Sequence, residues 1–94
     1  MAKSILQTEK RCFIHNCNRT DIEEHHIFFG PLRKISEKYG LKCCLCAEHH
    51  RGNNSPHQRR DIDLLLKRVC QRKFEETHSR EEFMQIIGRN YLDD

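Results

Sequence analysis

No apolar run in this 94-residue chain approaches the length needed to cross a bilayer, and Met1-Ala2-Lys3-Ser4 leads into no signal-peptide core. The expectation is a protein with no membrane partner, located in the cytoplasm. Internal repeats and a linker are also missing, and no H-E-x-x-H helix of the metalloprotease kind is present. Apolar residues are scarce, at 36% hydrophobic against 33% charged. That composition suits one small domain, residues 1–94, whose modest core would gain from a staple such as a metal.

With no sign of secretion, the six cysteines and seven histidines point to metal more than to disulfides. Charge is unevenly spread. Residues 1–60 carry eleven Lys/Arg against six Asp/Glu, and residues 61–94 carry six against eight. The histidine-rich half is thus the basic half, as a nucleic-acid partner would favour.

Residues 1–10 read as a loose lead-in, with Ile5 and Leu6 able to dock, and residues 89–94 as a loose tail. Asp21-Ile22-Glu23-Glu24 leads into a β-prone run, His25-His26-Ile27-Phe28-Phe29, stopped by Gly30-Pro31. Leu32 to Tyr39 suits a loop or short helix ended by Gly40. Leu41 to Cys46 reads as a second strand able to pair with the first. Ala47-Glu48-His49-His50 follows as a turn. Ser55, Pro56 and Gln58 carry the signature of a helix start, predicting a helix from there to about Thr77 with Ile62, Leu65, Leu66, Val69 and Phe74 on its apolar face. Ser79-Arg80-Glu81-Glu82 is a second capping box, and Gly88 ends the helix it opens. Residues 55–88 therefore form a C-terminal helical part.

Cys12 and Cys17 flank four residues, and Cys46 and His49 flank two. Two close pairs of this kind can make a closed tetrahedral zinc site. His15 is the alternative to Cys17. A clamp at Cys46 and His49 fixes the position of His50. Neighbours on a strand point to opposite faces, so His25 can hold a metal while His26 handles a proton. His25 and His50 could hold a second divalent ion with positions left open, with His57 as the natural third ligand and Asn54 as its competitor.

With these motifs in view, the chain resembles the HNH, or ββα-metal, nuclease family over roughly residues 11–58. The likeness lies in the Cys12/Cys17 half-knuckle, the His25-His26 pair and Leu45-Cys46-Ala47-Glu48-His49-His50, which is similar to the family's LCxxCH with His49 in place of the second cysteine. More narrowly, runs such as YGLKCCLCAEHHRG and KFEETHSREEFMQIIGRNYL look like those of small phage- and prophage-encoded HNH endonucleases. The resemblance implies a small α+β fold, a zinc-stapled ββα-metal (His-Me finger) core with C-terminal helices packed against it. It also implies hydrolysis of DNA phosphodiester bonds. His26 would be the general base, and His25 and His50 would hold a catalytic Mg²⁺, Mn²⁺, Ni²⁺ or Zn²⁺. The family's middle Asn would fall near Gly40 or Leu41, where this chain has none. Arg33, Lys34, Arg51, Arg59 and Arg60 are candidates for phosphate contacts. Double-strand cutting would call for a homodimer or a phage partner protein. The competing expectation is a catalytically inactive zinc-binding module that holds nucleic acid or such a partner.

Overall fold

Two five-residue strands, β1 (Ile22–His26) and β2 (Lys42–Cys46), pair antiparallel with Ile22 opposite Cys46 and His26 opposite Lys42. Cross-strand partners share a face of the sheet. Glu23 and His25 of β1 therefore lie with Leu45 and Cys43 of β2. On the other face, Glu24 and His26 lie with Cys44 and Lys42. The first face is the inner one: His25, Cys43 and Leu45 are almost wholly buried.

The computed structural model describes residues 3–92, so the parts of the predicted loose ends at residues 1–2 and 93–94 lie outside the described residues. Among the described residues, five helices of one to four turns accompany the hairpin. A 3₁₀ turn (Gly30–Leu32) runs into α1 (Arg33–Tyr39), which the sequence left open as loop or helix. The chain then forms α2 (Ala47–Arg51), α3 (Arg60–Phe74) and α4 (Arg80–Ile87). The result is a small α+β fold.

The core lies between the inner face of the hairpin and the two last helices. Ile27, Phe28, Leu41, Cys43 and Leu45 meet Leu66, Cys70 and Phe74 of α3 and Phe83 and Ile87 of α4. Phe28, Phe74 and Phe83 pack edge to face, with Phe83 at 5.6 Å from Phe28 and 5.7 Å from Phe74 between centroids. Fully burying one such ring contributes roughly 1.5–3 kcal/mol, so three of them are a large share of what a small domain can gather.

Several elements differ from the sequence expectation. β1 ends at His26 rather than opening there, and Ile27 and Phe28 continue into the core beyond it, with the Ile27 N–H still donating to the Leu41 carbonyl. The predicted turn after Cys46 is a helical turn, α2. The helix predicted from Ser55 begins only at Arg60. Ser55 and Pro56 are buried instead of capping, and the Ser55 carbonyl accepts the Gln58 and Arg59 N–H groups in a turn. The burial of Ser55 and Pro56, with the His57 ring set against His25 and Phe29, overrides the local helix signal. α3 stops at Phe74, and Leu65, expected on its apolar face, is 57% exposed. The buried stripe runs instead through Asp63, Leu66, Cys70, Gln71 and Phe74.

The ends are tied down rather than loose as far as they are described. The Ile5 N–H donates to the Gly40 carbonyl, the Ser4 hydroxyl to the Lys42 carbonyl and the Cys44 N–H to the Gln7 side chain. At the other end, Gln71 accepts the Tyr91 N–H and donates to Asn90. Gly40 closes α1 in the left-handed region, and a side chain there would run into the Lys3 carbonyl. α4 matches its expectation: Ser79 and Glu82 form the capping box and Gly88 ends the helix in the left-handed region. Among the described residues no helix is long and apolar enough to cross a membrane.

Candidate metal centres

The loop at residues 11–18 is anchored to β2 by the Phe13 N–H donating to the Cys44 carbonyl at 2.8 Å. Asn16, in the left-handed region that Asn tolerates, turns the chain so that Cys17 comes back beside Cys12. Across from them, Cys46 caps α2, its sulfur accepting the His49 N–H. Cys12, Cys17, Cys46 and His49 present their ligand atoms within 4.8 Å of one another. The Cys17 and Cys46 sulfurs are 3.8 Å apart, and the His49 Nδ1 lies 3.4 Å from Cys12 and 3.2 Å from Cys46. Tetrahedral zinc, with bonds of about 2.3 Å to sulfur and 2.0–2.1 Å to nitrogen, sets edges of about 3.8 Å and about 3.6 Å. The cluster thus fits a metal such as zinc. Burial pushes the Cys12 thiol up, while the Arg19 backbone N–H holds the Cys17 thiol below its usual range. His15 is exposed and outside the cluster.

One residue past His49, His50 joins a second group. His25, His50 and His57 bring ligand nitrogens within 4.8 Å of one another, their ring centroids 5.2–5.3 Å apart. His25 is 1% exposed, and its Nε2 has no hydrogen-bond partner. A buried nitrogen of that kind carries a desolvation cost that a bound cation would offset. Burial, followed by the charges of His50 and His57, lowers the His25 pKa to about 3. Burial and His50 lower that of His57 as well. Both therefore favour the neutral form that ligates metals.

His50 Nδ1–H donates to Glu23 Oε1 at 2.7 Å, and Arg51 grips both oxygens of the same carboxylate at 2.9 and 2.6 Å. Hydrogen bonds from Arg51 and then His50 hold the Glu23 carboxyl below its usual range. A carboxylate on one imidazole nitrogen leaves the other as the ligand, the usual arrangement behind a metal-bound histidine. Phe29 covers the group, its ring 5.0 Å from His57 and 6.1 Å from His25. Asn54 Oδ1 accepts a hydrogen bond from Arg59 at 3.4 Å.

His26 lies on the outer face. Its Nε2 donates to Glu37 Oε1 at 2.9 Å. The Lys42 ammonium is 2.7 Å from the other Glu37 oxygen and 3.3 Å from Glu24. Hydrogen bonds from Lys42 and then His26 hold the Glu37 carboxyl at about 2. Glu24, His26 and Glu37 could themselves surround an ion, but the Lys42 ammonium already supplies the cation between the carboxylates.

His26, Gly30, Arg33, Lys34 and Glu37 line a cleft of about 340 Å³. Arg33 and Lys34 are exposed there, and Arg60 is exposed at the start of α3. Arg51 and Arg59 are engaged elsewhere, Arg51 with Glu23 and Arg59 with Asp61. The sequence reading missed Glu23, Glu37 and Lys42. Strand alternation places Glu23 beside His25 and could have found it. Comparison with protein-family models, curated proteins and solved structures found no match to this chain.

Proposed function

We propose that this chain is a metal-dependent endonuclease of the HNH, or ββα-metal, class, hydrolysing DNA phosphodiester bonds. The observation that carries the reading is the convergence of His25, His50 and His57 one residue past a cluster fit for zinc, with His26 turned to the opposite face of the same strand. In this reading Cys12, Cys17, Cys46 and His49 hold structural zinc, which fixes the start of α2 and so the place of His50. His25, His50 and His57 would hold a catalytic divalent ion. Such an ion would stabilise charge on the phosphate and on the leaving 3′-oxygen. His26 takes a proton from the attacking water, the general-base work that an imidazole most often does. Arg33 and Lys34 hold the DNA backbone beside it. The products carry 5′-phosphate and 3′-hydroxyl ends.

A plasmid assay with Mg²⁺, Mn²⁺ or Ni²⁺ tests this. The protein should nick or cut DNA, and His26→Ala should lower the rate by about 100-fold or more while zinc content and circular dichroism stay the same. Equal rates in the two proteins would remove His26 from the mechanism. Salt-sensitive DNA binding with no cleavage under any metal would favour the inactive zinc module instead.

A further inference from the structure

Behind His26 stands a chain of charges with no part in either metal cluster. Glu37 reaches His26 Nε2 with one oxygen, at 2.9 Å, and Lys42 Nζ with the other, at 2.7 Å. Lys42 is 4% exposed and is also held by Glu24. The helix that carries Glu37 is itself pinned. The neighbouring Ser36 is fully buried, and its hydroxyl accepts the Phe28 N–H at 3.1 Å and donates to the Phe28 carbonyl at 2.6 Å. Two residues of one short helix thus grip both sides of the bend that follows β1.

A carboxylate only accepts hydrogen bonds, so Glu37 requires a hydrogen on His26 Nε2. In the neutral ring the lone pair then sits on Nδ1. We propose that Glu37, held by Lys42, is a positioning residue that fixes both the orientation of the His26 ring and its Nε2–H tautomer, making Nδ1 the atom that accepts the proton from water. The inference rests on the nuclease reading for its purpose but not for its detection. An ion pair that merely joins α1 to the hairpin would hold the same hydrogen on Nε2, so the effect of Glu37 on cleavage is what separates positioning from structure.

Long-range proton–nitrogen correlation on protein labelled at histidine nitrogen, at roughly pH 8 where an ordinary imidazole is neutral, reads the tautomer directly. The His26 ring should carry its hydrogen on Nε2 in the native chain. It should keep it there in Glu37→Gln, whose amide oxygen can still accept, and in Glu37→Ala relax to the mixture of an unconstrained ring, in which Nε2–H is the major form and a measurable share sits on Nδ1. A hydrogen on Nδ1 in the native chain, or an unchanged tautomer in Glu37→Ala, overturns the proposal. If Glu37→Ala loses its folded spectrum, the Glu37→Met/Lys42→Met pair removes both charges together and carries the same comparison.

Cleavage separates the two claims. Glu37→Ala should lower kcat about 10- to 100-fold with little change in KM, and Glu37→Gln should recover most of it. A native chain that never cleaves ends the nuclease reading, while the tautomer still decides whether Glu37 sets the hydrogen of the His26 ring. Full kcat in Glu37→Ala ends the positioning role and leaves the nuclease standing.

Discussion

His25 can be charged only with difficulty, because it is buried among His50, His57 and Lys67. That makes it an acid-labile point of the fold. Above about pH 6.5 the imidazole is neutral in both folded and unfolded chains, and its contribution is fully present. As the pH falls below that, the unfolded chain takes a proton that the folded chain refuses until about pH 3. Stability therefore falls with pH across that window, by an amount on the order of a few kcal/mol. Urea midpoints of metal-free protein should drop between pH 7 and 5, and His25→Phe should flatten most of that drop. The same slope in both proteins would mean that the depressed His25 is not responsible. The upper part of the window matters, because Glu23 and Glu37, held low by their partners, lose their own contributions only at more acid pH. At this scale the division between His25 and His26 was legible from the two-residue period of a strand. Glu37 was not, because its contact with His26 exists only once α1 folds back on β1.

Between elements, the decisive joint is the step from β2 to α2. Cys46 ends the strand, caps the helix and belongs to the Cys/His cluster, and His49 lies on the first turn beyond it. If the cluster holds zinc, it ties the loop at residues 11–18 to that joint and should contribute on the order of 10 kcal/mol. Stripping the metal with a strong chelator should then lower the thermal midpoint by at least about 10 °C, as should Cys46→Ser. Cys44→Ser, one of the two β2 cysteines outside the cluster, should leave it nearly in place. A midpoint indifferent to chelation would contradict the clamp. The Cys and His spacings made this joint readable in advance. The stretch from Ser55 to Arg59 was not, for its helix-start signal is local while Ser55 and Pro56 are buried in tertiary packing. Where no packing competed, as at Ser79 and Gly88, the same kind of signal held.

For the whole molecule, the charge asymmetry of the sequence looks different once partners are assigned. Arg51 and Arg59 spend their charge on Glu23 and Asp61. Arg33 and Lys34 have no ion pair among the described residues and border the cleft at His26. If DNA lies there, Arg33→Ala and Lys34→Ala should each weaken binding across sequences and reduce the slope of log K against log salt by about 1. Arg59→Ala should change that slope little. Equal slopes in all three variants would place the DNA on another face. A count of basic residues could suggest a nucleic-acid partner, but only the fold separates cations that are free from those already paired.

His49 and His50 are adjacent in the chain yet belong to different groups that could each hold an ion. If both groups take ions, the two occupancies share a single peptide link and are thermodynamically linked. The first ion orders α2 and thereby pre-organises His50 for the second. By reciprocity, the second ion must tighten the first by the same factor. The protein would then respond to metal supply cooperatively, its affinity for the second ion falling wherever the first is withdrawn, without any change in the second ion's own ligands.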